Sequence, residues 1–218
     1  MVKVERTAEA PVSLAIEKAK KNGSYRCQDV VDQLYADFHG KCYLCEMADL
    51  QSIQVEHLLP HHNGKDIDRK FDWHNLFLSC SHCNSVKNRK KYECNVIDCC
   101  KYDPETIIKH ELLDGKVRVS PLEDSIEART TAALVQDCFE LRNTAIRTLE
   151  AQVKVNELKR VMTILYNELD SYRKDKSSKS LSILNAMLDR KYKFAGFTRA
   201  YVRDHIESYP DLKSAITL

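Results

Sequence analysis

Two Cys-x-x-Cys pairs, Cys42/Cys45 and Cys80/Cys83, bracket a stretch that also carries Glu56-His57 and Asn75. A Cys-x-x-Cys turn aims two thiolates at one point, and two such turns complete the closed tetrahedral shell that structural zinc prefers. The pairs stand further apart than the roughly 15 to 20 residues of a compact zinc ribbon, so the metal would close a loop with something else built inside it. An imidazole beside acid and amide oxygens is the equipment of metal-assisted hydrolysis.

The elements around these residues must position them. In Ser52-Ile-Gln-Val-Glu-His-Leu-Leu-Pro60 the residues Ile53, Val55, His57 and Leu59 fall on one side of an extended segment, and Gln54, Glu56 and Leu58 on the other. Glu56 and His57 should therefore diverge unless the strand bends or ends there, and Pro60, which cannot donate to a ladder, suits an ending. A loop over residues 61–70, rich in His, Asn, Gly and Asp, leads through Asp72-Trp-His-Asn75 into the short apolar run Leu76-Phe-Leu78. Ser79-Cys-Ser-His-Cys83-Asn84-Ser-Val-Lys87-Asn88 then carries the second cysteine turn into a helix. The expected order is strand, loop, strand, zinc turn, helix.

This combination resembles the HNH endonucleases, whose ββα-metal motif has a Cys-x-x-Cys, an acidic residue plus His, a central Asn, and a Cys-x-x-Cys-Asn-x-x-Lys. The phrases Lys41-Cys-Tyr-Leu-Cys-Glu46, Val55-Glu-His57, Asp72-Trp73, Asn75-Leu-Phe-Leu78, His82-Cys-Asn84, Ile97-Asp-Cys-Cys100 and Lys193-Phe-Ala-Gly-Phe-Thr198 are similar to those of one subgroup. That subgroup is the HNH subunit, PtuB, of Septu-type and retron-associated anti-phage systems. The resemblance implies a zinc-stapled nuclease core acting on DNA, with His57 as general base, Asn75 orienting its imidazole and tightening the loop, and Glu56 and Asn84 binding one catalytic Mg²⁺ or Mn²⁺. Asn88, one helical turn beyond Asn84, is a further candidate ligand, and Lys87 could contact the phosphate. A partner ATPase of the ABC/SMC-like kind, similar to PtuA, is implied with it.

Composition bounds the rest. With 218 residues and a formal net charge of only +2, the chain lacks the overall basic surface of a strongly nucleic-acid-binding protein, so any DNA affinity must be local or borrowed from a partner. The run Lys87, Arg89, Lys90, Lys91 beside the zinc turn reads either as a solvated face or as phosphate contacts. Nine cysteines without a secretory leader point to a reducing cytoplasm, with four thiols on zinc. Cys27, Cys94, Cys99, Cys100 and Cys138 are expected as buried or partly buried thiols, a second metal site from Cys94, Cys99 and Cys100 being the other reading. No apolar run is long enough for a membrane span.

Five Gly and five Pro favour helices over a turn-dense all-β chain. Pro11 to Lys20 and Cys27 to Phe38 carry helical spacing, the second ending at Gly40. Leu113-Asp-Gly115-Lys-Val-Arg-Val119 reads as a hairpin-like turn into a strand. From Glu123 to Tyr172 the apolar positions, among them Leu134, Val135, Cys138, Phe139, Ala145, Ile146, Leu149, Val153, Leu158, Val161, Met162, Leu165 and Leu169, give one long helix or two antiparallel ones. Leu181 to Leu188 marks another helix. Ala195-Gly196 is expected to turn the chain, and Thr198 to cap a final helix. The expectation is thus an α+β, mostly helical protein: N-terminal helices over 1–40, a nuclease core over 41–104 and a helical scaffold or docking region over 105–218. A catalytically silent zinc module that binds nucleic acid or protein is the competing function, and redox-active cysteine pairs a third.

Overall fold

A computed structural model describes residues 1–140 and 145–217. Helix α1 (Val12–Lys18) follows Pro11, and α2 (Gln28–Asp37) buries Val30 and Leu34. The chain leaves α2 through His39 and Gly40, both left-handed, with the Gly40 amide on the Tyr35 carbonyl. Strand β1 (Ile53–His57) pairs antiparallel with β2 (Leu76–Cys80), Ile53 opposite Cys80 and His57 opposite Leu76. Helix α4 (Ser81–Lys87) starts immediately after β2. Between the strands lies more order than the sequence suggested: helix α3 (Ile67–Phe71), capped by Asp66, sits in the segment read as loop. Five residues are too few to display a helical period.

A second hairpin, β3 (Ile108–Leu113) and β4 (Lys116–Pro121), turns at Asp114-Gly115, whose φ of 49° and 72° give the mirror-image turn that matches strand twist. The helical spacing after Glu123 resolves into α5 (Ile126–Cys138), capped by Ser125, and α6 (Ala145–Asp175). Leu158, Val161, Met162, Leu165 and Leu169 are buried as their spacing requires, but Leu149 and Val153 are 69% and 56% exposed. The side chains of Ala145 and Ile146 lie outside the described residues.

Helices α7 (Ser178–Leu188) and α8 (Ala195–Asp204) complete the order. Here two expectations are corrected. Phe194, at φ 56°, makes the turn, whereas Gly196 and Thr198 lie inside α8. Glycine is there for close approach, since a Cβ at Gly196 would stand 2.9 Å from a Glu46 carboxylate oxygen. Thr198 bonds backward to the Met187 carbonyl at 3.0 Å instead of capping.

The protein is α+β and mostly helical, with two small two-stranded sheets. One apolar core runs through all of it, from Val30 and Leu34 past Phe77 and Leu78 to Leu158, Phe194 and Phe197. The N-terminal segment is strapped to it by Arg6, whose guanidinium lies 4.3 Å from the Trp73 ring and donates to the Trp73 and Leu76 carbonyls. Trp73, buried, donates its indole N–H to Thr7. Among the described residues no helix is long and apolar enough to cross a membrane.

Candidate metal centre and adjoining cleft

The β1–β2 pairing and the start of α4 bring the two cysteine turns together. The sulfurs of Cys42, Cys45, Cys80 and Cys83 lie within 4.8 Å of one another, all buried. Tetrahedral zinc–thiolate bonds of about 2.3 Å place sulfurs about 3.8 Å apart, so the set fits such an ion. Its proton chemistry fits as well. Burial acts to raise Cys42, Cys45 and Cys83, but hydrogen bonds from Cys45, Cys80 and Cys83 hold Cys42 well below the ordinary range, while Cys45 and Cys83 are pushed well above it. Four sulfurs that cannot all stay protonated comfortably are the donor set a divalent cation satisfies.

The surroundings of the centre are supplied by the C-terminal helices. Lys154 of α6, 4% exposed, places Nζ 2.6 Å from His82 Nδ1. Burial opposes its charge, yet the neighbouring Cys83, Cys45, Cys80 and Cys138 raise its pKa overall. Cys94, Cys99 and Cys100 do not gather a third ligand: among the described residues the four-cysteine set is the one metal-type cluster. Cys99 and Cys138 are buried, Cys27 and Cys100 half-buried, and Cys94 is exposed.

Beside the centre opens a polar cleft of about 400 Å³ lined by Glu56, His57, His61, Asn84, Lys87, Asn88, Tyr25 and Arg26. Glu56 and His57 do share it, because β1 ends at His57. The imidazole Nε2 lies 3.0 Å from the Lys70 carbonyl. A carbonyl can only accept, so Nε2 carries the proton and Nδ1 keeps its lone pair. Burial lowers the His57 pKa to about 4 against the opposing pull of that carbonyl, which leaves the ring neutral near pH 7.

Asn75 does not touch this ring directly. Its amide accepts from Leu59 N at 2.8 Å and donates to the Leu59 and Arg69 carbonyls at 2.9 and 3.0 Å. It thereby fixes the loop, and the residue after Arg69 is the one whose carbonyl holds His57.

Lys87 is placed differently from a phosphate contact. At 4% exposure, its ammonium pairs with Glu56 at 3.3 Å and donates to the Leu58 carbonyl at 2.9 Å. The other Glu56 oxygen accepts from the Tyr43 hydroxyl at 2.7 Å, and burial raises the Glu56 pKa against both partners. Arg89 and Lys91 pair with Asp137 of α5, while Lys90 is exposed.

His61, in the segment read as a loop, packs its ring 4.4 Å from that of His57, with Tyr25 edge-on to both. Its position four residues after His57 and one after Pro60 was the available signal. No protein-family model matches the chain, and no curated protein matches it in sequence. Fold and site together define an α+β protein whose four buried cysteines can hold a metal ion such as zinc.

Proposed function

We propose that this protein is a metal-dependent endonuclease of the HNH kind, hydrolysing phosphodiester bonds in DNA. The observation that carries the reading is His57: pinned through Nε2 to Lys70, with its Nδ1 lone pair available, in a cleft that Glu56 and Asn84 also line. A neutral, oriented imidazole is what a general base for water requires. The strand–strand–helix order stapled by four thiols, with Glu56 preceding His57, agrees with the ββα-metal arrangement of that family.

Glu56 and Asn84 offer the hard oxygen donors that suit Mg²⁺ or Mn²⁺. Such a cation, when bound, neutralises charge on the phosphate and on the departing oxygen. It would share the Glu56 carboxylate with Lys87 and Tyr43. Lys87 then serves as the counter-charge of the acid.

The similarity to the HNH subunit of Septu-type systems extends the proposal to a nuclease effector of an anti-phage complex with an ABC/SMC-like ATPase. Two observations favour targeting by a complex: the net charge is only +2, and Arg89 and Lys91 are committed to Asp137. The silent zinc module keeps one observation in its favour, the mutual neutralisation of Glu56 and Lys87.

One experiment separates the two. Metal content is measured on the purified protein, which is then incubated with plasmid DNA, with and without the ATPase, in Mg²⁺ or Mn²⁺. The nuclease reading expects cutting that His57→Ala abolishes with zinc content unchanged. Absence of metal-stimulated cutting leaves the silent module, and equal cutting by the variant removes His57 from its role.

A further inference from the structure

The cleft contains a second imidazole that the nuclease reading does not use. His61 Nδ1 lies 2.8 Å from the Gly64 amide, which can only donate, so Nδ1 accepts and Nε2 carries the proton. His57 has the complementary arrangement, its Nε2 proton spent on Lys70 and its Nδ1 lone pair left over. Two rings 4.4 Å apart therefore offer one N–H donor and one lone pair to the same polar space.

The backbone holds the second ring in place at a cost. His62 and Asn63 have φ of 49° and 56°, and Gly64 follows at 83°. Left-handed backbone is strained at non-glycine residues, and such strain persists where the surroundings over-determine it, often at functional sites. What it secures here is the turn whose amide fixes the His61 ring.

The lysines near the cleft are occupied, and exposed Arg26 spends one N–H. Lys87 is buried on Glu56 and the Leu58 carbonyl, and Lys70 donates to the Gly23 carbonyl. Arg26 lies over the Tyr25 ring and donates to its hydroxyl at 2.8 Å. A dianionic or diester phosphate entering the cleft would meet the His61 ring, whose Nε2–H is not used by Gly64, beside His57.

We infer that His61 seats a phosphate group in the cleft beside His57. His61 donates from Nε2 to a non-bridging oxygen, and the His57 lone pair, which repels phosphate oxygens, is kept for a water O–H. This deepens the nuclease reading and, for its role in cutting, rests on it; the phosphate site itself stands on the His61 N–H and its place in the cleft.

The test uses the full-length, zinc-loaded protein with ¹⁵N-labelled histidines. Inorganic phosphate is titrated at constant pH, with chloride at matched ionic strength as control, and imidazole nitrogens are followed by long-range ¹H–¹⁵N spectra. Both rings are expected in the Nε2-protonated form, and phosphate but not chloride shifts His61 saturably. His61→Ala loses the saturable response at His57, and His61→Gln, whose amide N–H can donate, keeps part of it. With DNA and Mg²⁺, His61→Ala is expected to cut roughly 100-fold more slowly, the scale of losing one donor to developing charge, with partial rescue in His61→Gln.

A His61 response to phosphate no larger than to chloride, or phosphate binding by His61→Ala equal to wild type, overturns the site. Should wild type fail to cut while phosphate still shifts His61, the nuclease reading falls and the phosphate site stands. Should wild type cut, His57→Ala fail, and His61→Ala cut normally, the inference falls and the nuclease reading stands.

Discussion

Glu56 and Lys87 set the electrostatics of the cleft as a buried pair 3.3 Å apart, with the Tyr43 hydroxyl closing the acid's other side. Removing one partner of such a pair leaves an uncompensated charge in the core and costs about 3–5 kcal/mol, whereas removing both is far milder. Lys87→Met should therefore lower the urea unfolding free energy by about that amount. The double variant Glu56→Gln/Lys87→Met should recover much of the loss; strictly additive values would show that the two side chains are not coupled. Burial already raises the Glu56 pKa, so the Lys87→Met protein should hold Glu56 protonated to higher pH still. None of this was readable from Lys87 in the sequence, where a lysine followed by Arg89, Lys90 and Lys91 looks like a basic surface. Burial is a property of the pairing between β1 and α4, and a one-dimensional pattern does not contain it.

At the scale of elements, the readable parts were those whose information is local. Cys-x-x-Cys spacing, the alternation in β1, the apolar run of β2 and the Asp-Gly hairpin turn all specify geometry within a few residues, and β1, β2, α4 and the β3–β4 hairpin follow them. Parts set by long-range packing were missed. Gly196 read as a turn because glycine ordinarily breaks helices, yet it lies in α8 with its amide on Glu46 at 2.8 Å. Gly196→Ala should gain helix propensity and still destabilise, because the new methyl meets a carboxylate oxygen at 2.9 Å that is buried and cannot swing away. Overpacking of this kind costs about 1–3 kcal/mol, and a drop in thermal midpoint measures it; an unchanged or raised midpoint would mean the contact relaxes freely. Exposed Leu149 and Val153 are the reverse case: Ala151, Lys154 and Val155 are buried at the same level of α6, and these two apolar residues fall on its other face.

At the scale of the whole molecule, the tie between the segment after the metal centre and the C-terminal helices centres on one buried carboxylate. Glu105, 4% exposed, accepts from Arg199 Nε at 2.8 Å, Arg203 Nη2 at 2.9 Å and Arg190 Nε at 2.9 Å, while Arg190 also pairs with Asp103. Arg199 continues to the Leu188, Ala215 and Thr217 carbonyls, so one anion organises α7, α8 and the chain beyond them. Burial alone would raise the Glu105 pKa, but Arg199 and Arg203 outweigh it and hold the group below its ordinary value of 4.5. A carboxylate with a depressed folded pKa stabilises the fold fully above the unfolded value and loses that contribution as pH falls through the folded one. Glu105→Gln should accordingly cost about 3–5 kcal/mol at pH 7, since Arg199 and Arg203 lose their counter-charge and Arg190 keeps only Asp103. The gap between wild type and variant in urea midpoint should hold constant down to about pH 5, then narrow below 4.5 as the wild-type carboxyl takes up its proton. Comparing the two proteins across pH isolates Glu105 from the other acids that titrate in that range, which are common to both. A gap that stayed level to pH 3 would mean that the Glu105 charge does not contribute and that the arginines are held by their carbonyl partners and Asp103.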